Sequence, residues 1–389
     1  MKILFPLAGT AAGVGSEDYM FEVAQQLAAR GHEITLLLPN GRALPDARFK
    51  AQYYRASPSP APLLWRVWYP FAVAHQVLAV AALKLPRYDA IVTGLLPALF
   101  GLSLRMKATP RIYLVLSPLA WFEILSYGAP TLGRRAGAGV YHWLQRWAWR
   151  QCEAVVSFTP TMTAFRTRVL KGSPRKLIES APGVDFTRFK PGERNASLLA
   201  EFGIPAAAPL VISFCRLIES KDIAFLLRAF SRPELPANAH LLILGKGPSL
   251  DALRAQVEEL GLTGRVHFAG FRDNVEDYLR LGHVYAFPSR LESFGLTLAQ
   301  AMACGLPAVA RRDSFPQIIT SSASMIEEGT SGMLVNNELE MARALATLLT
   351  DQPRRERMAA AATRAAHERF CWDRHVDAID TALNELAAR

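Results

Sequence analysis

The chain has 389 residues, 51% of them apolar, with 25 glycines and 25 prolines. That excludes collagen-like, low-complexity and disordered classes and leaves room for two or three compact domains. Lysine and arginine number 44 against 34 acids, a surplus of +10 that favours phosphate-bearing partners, anionic lipid or nucleic acid without choosing among them.

The chain opens Met1-Lys2 and runs directly into a predicted strand, Ile3 to Pro6, without the long apolar region of a signal peptide. A glycine-rich loop, Gly9 to Ser16, follows, and then a helix with Met20, Val23, Ala24, Leu27 and Ala28 on one face. Further strands are expected at Ile34 to Leu38, Ala90 to Thr93, Ile112 to Leu116, Val155 to Phe158 and Leu177 to Ser180. The most apolar stretch, Trp65 to Leu85, is broken by Arg66, Pro70, His75, Gln76 and Lys84 and is not expected to cross a membrane. Trp65, Trp68, Tyr69 and Phe71, with Arg134, Arg135, Trp143, Arg146, Trp147, Trp149 and Arg150, have the composition of a surface resting on anionic headgroups. The i, i+4 pair Trp143 and Trp147 equally suits a core, and the core reading is weighed slightly the heavier.

Between Pro182 and Pro209 the regular pattern weakens into an interdomain connection. A second series then begins, with strands at Leu210 to Phe214, Leu241 to Leu244, Val266 to Ala269, Val284 to Phe287 and Ala308 to Ala310, and the Ala/Arg/Glu-rich tail after Gln352 is helical. Strands alternating with helices predict an α/β fold with two doubly wound parallel sheets. The boundaries are residues 1–190 and 209–365 for the two domains, 191–208 for the linker, and 366–389 for a helix returning toward the first domain. The cysteines Cys152, Cys215, Cys304 and Cys371 are too scattered for a zinc site or disulfide framework, so a reduced, cytoplasmic setting is expected.

In open parallel sheets ligands bind beyond the carboxyl ends of the strands, so the loops there carry the chemistry. Gly13 and Gly15 in the first loop allow close backbone approach to an anion or simply satisfy a turn; no GxGxxG with an acidic ribose clamp follows. Arg216 and Lys221 follow the first strand of the second series, where two cations can converge on one diphosphate. Gly245-Lys246-Gly247 and Gly270-Phe271-Arg272 are loops that either hold a planar base or are ordinary turns. Glu292 precedes a helix whose first amides, near Ser293, Phe294, Gly295 and Leu296, point at an anion. Gln300 lies two helical turns on, while Phe294, Leu298 and Met302 form a buried stripe that Gly305 and Pro307 end.

The run Arg216 to Lys221, the GKG turn, "VHFAGF" and above all "PSRLESFGLTLAQAMACGLPAV" resemble the C-terminal half of the family 4 retaining glycosyltransferases of the GT-B fold. The opening strand and glycine loop, "APGVDFTRFKP" and "ERFCWDRH" resemble the rest of that family more weakly. The resemblance implies two Rossmann-like domains facing a central cleft. It further implies a UDP- or GDP-linked sugar as donor, a glycan, lipid-linked or small-molecule acceptor, and cell-envelope glycan or glycoconjugate synthesis. No cofactor or bound metal is implied, because Arg216, Lys221 and the helix N-terminus would neutralise the leaving diphosphate. Glu292 would match the first of the family's paired glutamates, and Gln300 the second, which holds the ribose.

The chain departs from the family pattern in places. Gln300 carries no charge, and where the family often has a histidine touching the donor sugar, this chain has Leu116 or Ser117. Two alternatives therefore stand beside the enzyme: a catalytically silent sugar-nucleotide-binding subunit and a GT-B-fold nucleotide-sugar epimerase. Peripheral contact with an anionic membrane is a further expectation; nucleic acid is not expected, because the basic residues follow no recognised binding fold.

Overall fold

The computed structural model describes residues 1–7, 15–44, 46–55, 65–116, 132–315 and 317–388, with side chains described for all of these except 15, 65–72 and 132–134. The chain divides into two compact units, Met1–Ser180 with Asp373–Arg389, and Ala181–Trp372.

The first unit is built on seven parallel strands: β1 (Lys2–Pro6), β2 (Glu33–Pro39), β3 (Lys50–Tyr54), β4 (Ala90–Thr93), β5 (Arg111–Leu114), β6 (Ala154–Ser157) and β7 (Leu177–Glu179). Their order is β3-β2-β1-β4-β5-β6-β7, so the winding reverses between β1 and β4. Ile3 lies opposite both Ile34 and Ala90, and Ile3, Leu4 and Phe5 are wholly buried. A strand covered on both faces reads as a continuous apolar run, which is why β1 and β2 were legible. The helices are α1 (Gly15–Ala29), α2 (Trp65–Ala81), α3 (Leu96–Arg105), α4 (Leu132–Gln151) and α5 (Pro160–Leu170). Thr159 caps α5 by accepting from Met162 N at 3.3 Å, and Pro160 opens its first turn, where no intrahelical N–H is needed. On α4 the tryptophans divide: Trp149 is fully buried and donates to Gly172 O at 2.7 Å, Trp147 is half-buried, and Trp143 is exposed.

The second unit repeats the plan with β8 (Leu210–Phe214), β9 (His240–Leu244), β10 (Val266–Gly270), β11 (Val284–Phe287), β12 (Ala308–Arg311) and β13 (Gly332–Val335). All six run parallel in the order β10-β9-β8-β11-β12-β13, and the reversal falls between β8 and β11. Its helices are α6 (Ile223–Phe230), α7 (Leu250–Glu259), α8 (Val275–Leu279), α9 (Leu296–Ala303), α10 (Ser322–Met325), α11 (Glu338–Thr350) and α12 (Gln352–Arg369). The segment expected to be a loose connection holds a 3-10 turn, Ala196–Phe202, started by Asn195 and closed by Gly203 at φ +65°.

The tail is two helices. It breaks at Phe370 and Cys371, and α13 (Trp372–Ala387) belongs mostly to the first unit. There Arg30 pairs with Asp377 at 2.8 Å and His32 with Asp380 at 2.8 Å. His375, fully buried, lies 2.7 Å from Tyr19 Oη and 3.0 Å from Ser180 Oγ. The expected strands are all present within a residue or two. β3 and β13 were not anticipated; both are edge strands, β3 carrying Lys50 and Gln52 in its run and β13 only four residues long.

Candidate functional site

In the second unit the winding reversal sets the loop after β8 beside the loop after β11, the place where an open parallel sheet forms a ligand crevice. The first loop ends in a 3-10 turn, Glu219–Lys221, and the second runs from Pro288 to Gly295. Lys221 Nζ donates to Glu292 Oε1, and the two side chains are only 13% and 16% exposed. Ser289 Oγ donates to the same oxygen at 3.3 Å, and Arg290 N donates to Ser220 O at 2.9 Å. Arg216 is exposed on the first loop. Burial pushes the nearby Cys215 thiol up to about 12, with smaller influences from Lys221 (down), Glu292 (up) and Arg216 (down).

The glycines of the GKG turn have a structural cause. A Cβ on Gly245, at φ +123°, would stand 1.9 Å from Cys215 O, and one on Gly247 would stand 2.2 Å from Leu217 O. The turn is zipped to the first loop by Leu217 N donating to Lys246 O and Ser249 N to Leu217 O, each at 3.0 Å, and Gly245 N reaches Gly270 O at 2.8 Å. The loops after β8, β9 and β10 therefore form one hydrogen-bonded rim, and only residues without a Cβ let the backbones approach this closely.

Helix α9 starts at Leu296 behind Gly295, whose φ of +98° turns the chain into the helix with no side-chain cap. In any α-helix the first N–H groups have no intrahelical acceptor and carry the positive end of the dipole. Phe294, Leu298 and Met302 are buried as the stripe required, Phe294 edge-on to Phe370 at 5.3 Å. Ser293 is buried and its carbonyl accepts from Ser321 Oγ at 2.8 Å; Leu296 and Gln300 are half-buried.

Several supports were invisible in the sequence. Glu292 N donates to Ile319 O at 2.9 Å and Ile319 N to Arg290 O at 2.8 Å, so a segment 27 residues away aligns Glu292. Asp313 Oδ1 holds that segment by accepting from Thr320 N and Thr320 Oγ1, both at 2.7 Å, while burial raises its carboxyl above the usual range. Asp222, left-handed at φ 48°, caps α6 through Phe225 N at 3.3 Å and pairs with Arg311 at 2.6 Å, whose guanidinium lies 4.3 Å over Phe225. Of these, only Asp222, an acid just before an apolar helical run, left a signal to read.

Other expected residues lie farther out along the rim or outside the described residues. Phe271 is 52% exposed with Lys246 Nζ 4.9 Å over its ring. Arg272 forms an ion pair with Glu201 and sits 5.3 Å over Tyr278, so its charge is already engaged. Gly15 is the first residue of α1, whereas Gly13 and Ser117 lie outside the described residues.

Residues 14–188 match the model of Glycosyltransferase Family 4 and residues 196–365 that of Glycosyl transferases group 1, which between them take in most of the chain. The chain belongs to the family 4 glycosyltransferases. Among its relatives is a D-inositol 3-phosphate glycosyltransferase of Stackebrandtia nassauensis, 32% identical over 255 residues that make up 61% of this chain and 55% of the relative. The chain spans about half the length of the curated relatives it matches. Similar solved structures include sucrose-phosphate synthase from Thermosynechococcus elongatus, with TM-score 0.79, 20% identity and coverage of 100% of this chain and 99% of that one. Anabaena HepE in complex with UDP-glucose gives TM-score 0.75 at 21% identity, over 99% of this chain and 100% of that one. These likenesses establish the shared GT-B fold.

Proposed function

We propose that the chain is a retaining glycosyltransferase that moves a sugar from a UDP- or GDP-sugar to a glycan, lipid-linked or small-molecule acceptor in cell-envelope glycan or glycoconjugate synthesis. The observation carrying this reading is the shielded Lys221–Glu292 pair, with Arg216 close by, at the β8/β11 reversal and ahead of the α9 N-terminus. An ammonium has three donors and Glu292 engages one, so the others are available for a diphosphate, which Arg216 meets with its fork. The α9 amides complete an anion site without a divalent cation, and the charge that grows on the leaving diphosphate is the charge these groups stabilise. Glu292 is a positioning residue here, since it fixes the ammonium. In the retaining course the anomeric carbon–phosphate oxygen bond breaks as the acceptor oxygen bonds to the same face. The departing phosphate oxygen takes the acceptor proton.

Support from relatives is of family and fold: one is named for transfer to inositol 3-phosphate, and HepE is seen with UDP-glucose. Thermal unfolding with UDP, GDP and ADP separately tests the donor, because a tight binder of the native state raises the melting temperature. UDP or GDP should do so, and transfer should persist in EDTA with the anomeric configuration of the donor kept. Absence of any nucleotide shift would refute the proposal.

A further inference from the structure

Two histidines at the amino end of the second sheet take no part in the site after β8 and β11. His240 opens β9 and His267 is the second residue of β10, so both lie at the opposite end of the strands from the rim loops. β10 is an edge strand paired with β9, and its register shifts between Phe268 and Gly270, just before the rim. An edge strand leaves one row of backbone groups without a neighbour and is held less firmly than a central one.

His240 Nδ1 and His267 Nε2 are 3.1 Å apart, with ring centroids at 5.4 Å. His267 also hydrogen-bonds the backbone of Gly264. Because Nε2 faces His240, that bond uses Nδ1–H, which fixes the tautomer and leaves Nε2 with its lone pair. A backbone carbonyl behind one ring nitrogen is the arrangement that orients a metal-ligating imidazole. Two Zn–N bonds of about 2.0–2.1 Å, at an angle from square to tetrahedral, set their nitrogens about 2.8–3.4 Å apart, so this pair already has the bite of a chelate. Both rings are half-buried, and burial holds each below the ordinary imidazole value, so both are neutral near pH 7, the form that binds a metal. The neighbouring cation, Arg265, is engaged elsewhere: it donates to Ala239 O at 3.1 Å and Pro236 O at 3.0 Å and lies over Phe230.

We propose that His240 and His267 form a two-imidazole site for a first-row transition ion, Zn2+ foremost, which staples the edge strand β10 to β9. Imidazole nitrogens suit Zn2+, Ni2+ and Cu2+, whereas Mg2+ and Ca2+ require oxygen ligands. Among the described residues no group of three or more histidines, cysteines and acids could hold a metal, so water fills the remaining positions. On binding, the ion replaces the His240 Nδ1 proton between the rings and that proton moves to Nε2, so no net proton is released. The site is at the amino ends of its strands and does not rest on the transfer reading.

The test is calorimetric titration of the full chain, first stripped with EDTA, with zinc chloride. One Zn2+ should bind, Mg2+ should not compete, and His240→Asn and His267→Asn should each weaken binding on the order of a hundredfold by ending chelation. His367→Gln, at an exposed histidine on α12, should leave the affinity unchanged. With Zn2+ at ten times its Kd, hydrogen exchange of the Val266–Gly270 amides should slow about tenfold in the parent and not in the two asparagine variants. Cu2+ on the parent gives a readout independent of any variant's folding, since its EPR spectrum should show coupling to two imidazole nitrogens. The proposal is overturned if no Zn2+ binds, if either asparagine variant binds as the parent does, if Mg2+ displaces the ion, or if the Cu2+ spectrum lacks the two-nitrogen coupling.

Discussion

Replacing Lys221 by methionine keeps most of the stem and removes the ammonium. Glu292 is then left 16% exposed with Ser289 Oγ, at 3.3 Å, as its remaining side-chain donor. Breaking a buried pair by deleting one member costs about 3–5 kcal/mol; with Ser289 retained and some water access, about 2–3 kcal/mol is expected. For a unit of this size that lowers its melting temperature by roughly 6 °C. The double variant Lys221→Met/Glu292→Gln removes the stranded charge, so stability should largely return, a coupling of about 2 kcal/mol. Nucleotide binding should behave differently, because the cation is lost in both variants: each should bind UDP or GDP about tenfold or more weakly than the parent. Urea unfolding and nucleotide titration on the parent, the two single variants and the double variant measure both quantities. Simple additivity of the two stability losses would refute the pairing, and recovery of nucleotide affinity in the double variant would refute the role of Lys221 at the diphosphate.

Gly247→Ala forces a methyl to within 2.2 Å of Leu217 O, so the GKG turn must withdraw by about 1 Å from the loop bearing Arg216. Nucleotide affinity should fall on the order of a hundredfold with about 2 kcal/mol of stability, and calorimetric titration would expose an error if binding were normal. Asp222→Ala removes the α6 cap, the Arg311 pair and a residue tolerant of φ 48°, for about 3 kcal/mol in urea unfolding; Asp222→Asn should lose roughly half as much. Burial holds His375 at about 4, well below the usual imidazole value, so its neutral form is the one that fits the fold. Its contribution is complete above about pH 6.5 and drains as the pH falls toward 4, up to roughly 3 kcal/mol. His375→Asn should flatten that part of the stability–pH profile, and an unchanged slope would contradict the assignment. Among the thiols, Cys152, Cys215 and Cys304 are buried and raised to about 12, so a thiol reagent under native conditions should label Cys371 first.

The sequence by itself determined the two α/β units, because central parallel strands are covered on both faces and must be written as apolar runs, as in Ile3 to Pro6 and Leu210 to Phe214. It also marked Arg216, Lys221, Glu292 and the Phe294–Leu298–Met302 stripe, since charges after strands and apolar residues at helical spacing are local patterns. Only the tertiary structure decided what those residues touch. Lys221 meets Glu292 across 71 positions, Glu292 is aligned by Ile319, and the GKG glycines answer to carbonyls of another loop. The same holds for the tryptophans of α4: their composition suited both core and surface, and packing buried Trp149 while leaving Trp143 exposed. Backbone hydrogen bonds and close approaches between distant loops depend on geometry that any residue of suitable size can supply, so they leave no characteristic letter in the chain.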